Sequence, residues 1–253
     1  MRDLPETRRG AGLRSLAWLA LLALLATPAT ARAAERVGPE ADALAALRAL
    51  APHVTSSSHP EALAVAFEAY YRYRAGHPGA VRKPYLYFVD LGLDNRTARG
   101  WVFDMDALAL VEGPFPVAHG SGSSATRDAV PNRFSNRAGS YASSLGLYLA
   151  QETYAFYGRA GGEPYRSVGL RLRGESGRFN DAARERGIVV HGAPYVTPVA
   201  AGRSQGCPAM EPERAERLLP MLENGGVVFV YSPNDAEWLA QGPWVSAARQ
   251  LAD

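Results

Sequence analysis

Cysteine is almost absent: Cys207 is the only one in 253 residues. A lone cysteine excludes an internal disulfide and leaves two roles, a buried apolar side chain or a free thiol kept for chemistry. Histidine is also sparse. The five, at positions 53, 59, 77, 119 and 191, are scattered, so with one cysteine they offer no compact ligand set, and neither a metal nor another cofactor is expected. Excess charge is missing as well. Residues 1–33 carry five arginines and two acids, and the remainder balances 22 basic against 23 acidic groups. A nucleic-acid surface needs clustered basic excess, which excludes nucleic acid as a partner. One long apolar run exists, LAWLALLALLA at residues 16–26, well short of the about 20 residues that span a bilayer. It follows Arg8, Arg9 and Arg14 and leads to the small residues Ala31 and Ala33, the pattern of an export signal cut near Ala33. The GAG after the paired arginines lacks the bulky apolar residues of a twin-arginine signal, which favours ordinary secretion. The mature chain is therefore expected in the periplasm or cell envelope, with no stable membrane insertion. No internal repeat is present.

What remains can bury one core with a small helical appendage. Residues 34–82 read as that helical N-terminal extension. Leu44, Leu47 and Leu50 share one helical face, and a second helix follows a Ser58/Glu61 capping box, carries Leu63, Phe67, Tyr70 and Arg74, and stops at Gly76. Residues 83–232 switch to short β-type runs, at 85, 99, 115, 145, 168, 187 and 226, separated by Gly, Pro and Asn turns. This predicts a mainly β fold, an antiparallel sandwich or barrel. One helix interrupts it at about 211–223, with Pro212 in its first turn, Ala215, Leu218, Leu219 and Leu222 on one face, and a kink or early end at Pro220. Residues 233–253 form a tail whose Trp238 and Trp244 can dock on the domain. The segment between His119 and Leu145 is long, rich in Ser, Gly and Asn and poor in core-forming residues, which marks it as a substrate-side loop.

Two nucleophiles stand three positions apart in HGAPYVTPVAAGRSQGCPA. Ser204 lies in GRSQG, the string of the α/β-hydrolase elbow, but that reading needs a later histidine and every histidine comes earlier. Cys207 precedes a helix whose positive end would favour a thiolate, with Arg203 as a second positive influence. His191 ends the apolar run GIVV sixteen residues upstream, so a strand, a loop of small residues and a returning chain can make a Cys/His pair. His119 with Ser121, at another strand end, is a candidate for lining the same cleft.

At these residues the sequence resembles the L,D-transpeptidase catalytic domain family, the YkuD-like enzymes of bacterial cell walls. The matching positions are His191, Gly192, Ser204, Gln205, Gly206 and Cys207. Both GRSQGCPA and RFSNRAGSYASSLGLY at 133–148 resemble its divergent murein branch. The resemblance covers about residues 83–232 and implies an L,D-transpeptidase-like β-sandwich or barrel with one or two short helices. It also implies acyl transfer on peptidoglycan stem peptides: Cys207 attacks the carbonyl of the third residue and expels D-alanine, and an amine resolves the thioester to a 3-3 crosslink. His191 would be the base, with backbone N–H groups at Gly206 and Cys207 holding the oxyanion and Arg203, Ser204, Gly192 and His119 in oxyanion or substrate-binding roles. Two departures stand out. Gln205 occupies the place of the usual histidine, and Pro208 and Ala209 stand where an arginine usually follows the cysteine; Arg203 is expected to compensate. The alternatives are an L,D-carboxypeptidase using water as acceptor, a sortase-like enzyme using His119, Cys207 and Arg214, and a peptidoglycan-binding domain without chemistry.

Overall fold

The computed structural model describes residues 38–126 and 130–244; the export signal predicted at 1–33 lies outside them. Helix α1 (Pro39–Leu50) starts on a proline, whose missing N–H costs nothing in a first turn, with Glu40 and Asp42 at its positive end. Of the three predicted leucines only Leu50 is fully buried, joined by Ala43 and Ala46, while Leu47 is half-buried and Leu44 is 45% exposed. Small alanines let α1 lie close against α2 (Ala62–Gly76). The second helix buries Leu63, Phe67 and Tyr70 and ends at Gly76 as its pattern predicts, but the capping box does not form. Ser58 instead gives its N–H and hydroxyl to the buried carboxylate of Asp90, at 2.8 and 2.5 Å. A tertiary acceptor outcompetes the helix end.

The strands are β1 (Tyr85–Asp90), β2 (Gly100–Asp104), β3 (Ala109–Phe115), β4 (His119–Gly120), β5 (Gly146–Ala160), β6 (Glu163–Gly174), β7 (Val189–Gly192), β8 (Val196–Thr197), β9 (Ala200–Ala201), β10 (Arg203–Ser204) and β11 (Ala209–Met210). Helix α3 (Pro212–Leu222), strand β12 (Val227–Tyr231) and helix α4 (Ala236–Gln241) complete them. Eight strands form one sheet in the order β11-β7-β6-β5-β12-β1-β2-β3. The fold is mainly β, as predicted, but the sheet is mixed: β1 pairs with β12, and β7 with β11, in parallel. The hydrophobic runs YLYFVD and VVFVY are buried almost throughout, as strands covered on both faces require. Helix α3 packs Ala215, Leu218, Leu219 and Leu222 inward against β6 and β7 and ends two residues after Pro220.

Three features position the site. Strands β5 and β6 pair from Tyr148↔Gly174 out to Ala160↔Glu163, a ribbon much longer than the two short runs predicted. Strand β7 delivers His191 opposite Ala209 of β11, so the returning chain brings Cys207 two residues before that position. Between them the chain makes the β8–β9 hairpin and then β10, which pairs with β4 through Arg203↔His119 and Ser204↔Gly120. The tail docks: Asp235 caps α4, Trp238 is fully buried, and the Trp244 indole N–H donates to Ser176 Oγ at 2.9 Å. No described helix is long and apolar enough to cross a membrane.

Candidate active site

A cleft of about 950 Å³ opens beside the edge of the sheet. Cys207, His191, Ser204 and Arg203 line it, together with Phe156, Tyr157 and Tyr165 of the ribbon and Ser121 and Tyr141 of the long loop. The segment read as a substrate-side loop therefore forms a wall of the cleft.

His191 is 3% exposed and held on every side. Its ring stacks on Phe156 at 4.1 Å between centroids, and the edge of Tyr195 closes another flank at 6.4 Å. Nδ1 lies 3.0 Å from the Gly192 carbonyl oxygen. A carbonyl only accepts, so the proton sits on Nδ1 and Nε2 is left as a free base. Burial pushes the imidazole down to about 4, against the Gly192 carbonyl, which favours the protonated form. The orienting partner is thus a backbone carbonyl, which no spacing of acidic residues could have revealed.

Cys207 is 9% exposed, and its thiol points to the Gly187 carbonyl at 3.8 Å. Burial raises its pKa, opposed by the Val189 backbone N–H and by the Arg186 charge. Two sequence expectations fail here. Strand β11 stands between Cys207 and α3, which begins at Pro212, so the helix end is not at the sulfur. The guanidinium acting on the thiol is that of Arg186, not Arg203.

Ser204 is a brace. Its hydroxyl accepts from the Gly206 N–H at 3.1 Å and donates to the Cys207 carbonyl at 2.6 Å. The Gly206 N–H, expected to serve an oxyanion, is thereby occupied. Gly206 itself has φ +123° and would bring a Cβ to 2.8 Å from Ile188, so only glycine suits this turn. Its carbonyl accepts from Ser143 Oγ at 3.0 Å. In a planar trans peptide the N–H lies opposite the C=O, so the Cys207 N–H points away from Ser143.

His119 departs most from expectation. It is fully buried and is not among the residues lining the cleft. Arg99, itself fully buried, donates from Nη2 to His119 Nδ1 at 2.8 Å and also to the Val117 and Leu93 carbonyls. Nε2 of His119 then donates to Ser124 Oγ at 3.0 Å. Burial, then the charges of Arg99 and Arg203, push His119 down to about 3. Gly192 also sits below the cleft, where an added Cβ would meet Ser167 Oγ at 2.2 Å. Arg214 of α3, the third member of the sortase-like set, is engaged elsewhere with Glu112 of β3 and Glu211. Among the described residues no group of three or more His, Cys, Asp or Glu is placed to hold a metal.

The two depressed histidines set the pH dependence of stability. The unfolded chain takes up these protons near pH 6.5, whereas the folded chain does so only near 4 and 3. Stability is full above about pH 6.5 and falls as pH drops below it, by about 1.4 kcal/mol per pH unit for each histidine. Urea unfolding at pH 7, 6 and 5 should show a cumulative loss of up to about 4 kcal/mol by pH 5; a flat profile would mean that these rings ionise inside the native state.

The sequence profile of the L,D-transpeptidase catalytic domain matches residues 55–231. The chain belongs to this family. The match begins ahead of α2, so it takes in that helix with the sheet. Solved structures of L,D-transpeptidases also resemble it. The Mycobacterium smegmatis enzyme is 14% identical over 59% of each chain, with a TM-score of 0.36. The Stackebrandtia nassauensis enzyme is 15% identical over 78% of this chain and 93% of its own, with a TM-score of 0.38. L,D-transpeptidase 3 of Mycobacterium tuberculosis is 17% identical over 59% of this chain and 62% of its own, with a TM-score of 0.33. This L,D-transpeptidase domain thus spans 59% of the length of the M. smegmatis protein. No curated protein sequence matches it.

Proposed function

We propose that this domain is an exported cysteine acyltransferase that acts on peptidoglycan stem peptides in the periplasm or cell envelope. The observation that carries the reading is a thiol and a histidine with a bare Nε2 lining one cleft. At rest the pair is a neutral thiol and a neutral imidazole, since burial raises one pKa and lowers the other. Nε2 of His191 takes the thiol proton as sulfur attacks the carbonyl of the third stem residue. The carbonyl oxygen becomes an oxyanion, and the Cys207 N–H, aimed away from Ser143, meets it. On collapse the proton passes from His191 to the leaving D-alanine nitrogen, and Cys207 is left as a thioester. An incoming amine gives up its proton to His191 and restores the thiol, forming a 3-3 crosslink; water in its place gives carboxypeptidase chemistry.

Gly206 holds the turn, Ser204 braces it, Gly192 orients His191 through its carbonyl, and Arg203 stands in the cleft as a cation for a stem carboxylate. Intact-mass measurement of the mature protein with a disaccharide tetrapeptide tests this. Release of D-alanine, or a thioester adduct absent from Cys207→Ala, is expected, and the second product identifies the acceptor. No adduct and no released D-alanine at any time point would leave a binding domain.

A further inference from the structure

Arg186 was not marked by the sequence pattern, yet it lines the cleft next to Gly187, whose carbonyl faces the Cys207 sulfur. Its guanidinium clamps one loop at four points. Nη1 donates to the Ser135 carbonyl at 2.7 Å and to Ser144 Oγ at 3.3 Å. Nη2 donates to the Ala142 carbonyl at 2.8 Å and to Ser140 Oγ at 3.2 Å. The same loop carries Ser143, whose hydroxyl fixes the Gly206 carbonyl and also accepts from the Gly120 N–H. The Ala142 carbonyl lies against Gly206, 3.0 Å from where a Cβ would stand. One side chain therefore orders the loop that aims the peptide before Cys207, and it leaves a permanent positive charge near the sulfur.

We propose that Arg186 is the positioning residue of the Cys207 thiolate, steadying the ionised sulfur by its charge and the Gly206–Cys207 peptide by its clamp on residues 135–144. The proposal rests on the reading of Cys207 as nucleophile. Arg186 exchanges no proton: the thiol proton goes to Nε2 of His191, and the guanidinium compensates the negative charge that stays on sulfur. The other groups that feel this charge are the phenols of Tyr148, Tyr154, Tyr165 and Tyr195, all held neutral by burial. Glu185, Arg159 and Arg203 line the same cleft.

The test compares native protein, Arg186→Gln and Arg186→Lys in three readouts: thermal melting, the rate of iodoacetamide alkylation of Cys207 from pH 7 to 10, and turnover of the disaccharide tetrapeptide. The Arg186 charge favours the thiolate, and an opposite charge at close range moves a pKa by about one unit, so Arg186→Gln should alkylate up to about tenfold more slowly at pH 8, with its pH profile displaced upward. Its kcat should fall at least as far, with KM nearly unchanged. Arg186→Lys keeps the charge and should alkylate within about threefold of native. A folded Arg186→Gln that alkylates at the native rate overturns the proposal, as does a folded Arg186→Lys that is as slow as expected for Gln; the lysine variant decides alone if the glutamine variant does not fold. Alkylation reports on the sulfur whether or not it catalyses. Turnover that survives in Cys207→Ala would instead sink the nucleophile reading.

Discussion

Cys207→Ala is expected to lower kcat/KM for D-alanine release by about 10⁴-fold or more while leaving the fold intact. The magnitude follows from the role: without the nucleophile no covalent intermediate can form, and what remains is the contribution of binding and oxyanion contacts. The fold should survive because the change removes one small buried atom, and the thiol's contact with the Gly187 carbonyl, at 3.8 Å, is a weak one. A melting temperature within about 3 °C of native is expected. His191→Ala should cost about 10²–10⁴-fold, the usual worth of a positioned base, and the double variant no more than the single cysteine change, since the two act as one unit. Ser204→Ala is the informative control: an elbow nucleophile would be inactivated by it, whereas a brace that holds Gly206 N–H and the Cys207 carbonyl should be weakened only partially. Steady-state release of D-alanine measures all four, and a fully active Cys207→Ala would end the case for thioester chemistry.

Arg99→Met should be the most destabilising single change. Arg99 has no exposed surface, and its guanidinium satisfies the Leu93 and Val117 carbonyls and His119 Nδ1 together. Burial pulls its pKa down to about 10, with Asp90 and Asp94 opposing the shift, so it remains charged at neutral pH. Methionine fills similar space but leaves three buried acceptors without donors, at a cost of about 3–5 kcal/mol. For a domain of this size that corresponds to a melting temperature lower by about 10 °C. The effect should reach the cleft, because His119 and Gly120 form the strand that pairs with Arg203 and Ser204, and an added Cβ on Gly120 would stand 2.8 Å from Gly206. A loss under about 1 kcal/mol in urea unfolding would show that those carbonyls find other partners.

The strand runs were legible because period and turn residues report burial directly, and α3 was placed to within a residue by Pro212 and its apolar face. That His191 and Cys207 would line one cleft was legible too, since a strand end and a return loop constrain their positions. Charge partners were not. Arg186 and Arg203 carry the same side chain, and only the turn at 181–187 brings one of them to the sulfur. The burial of His119 was likewise hidden, because a histidine at a strand end looks the same whether it faces a cleft or an arginine twenty residues earlier in the chain. Ser58 shows the general difficulty: a local cap and a distant carboxylate compete for one hydroxyl, and only the fold reveals that Asp90 wins.

The middle of the large sheet joins the beginning of the β region to its end, for β1 lies directly beside β12 in parallel register from Leu86↔Val227 to Asp90↔Tyr231. Neither strand can be covered until the chain between them has been made. A nascent chain that has reached β11 holds a complete Cys/His pair in sequence but an open seam where Val227–Tyr231 belongs. The sheet that carries the cleft therefore cannot close until its last strand, β12, is in place.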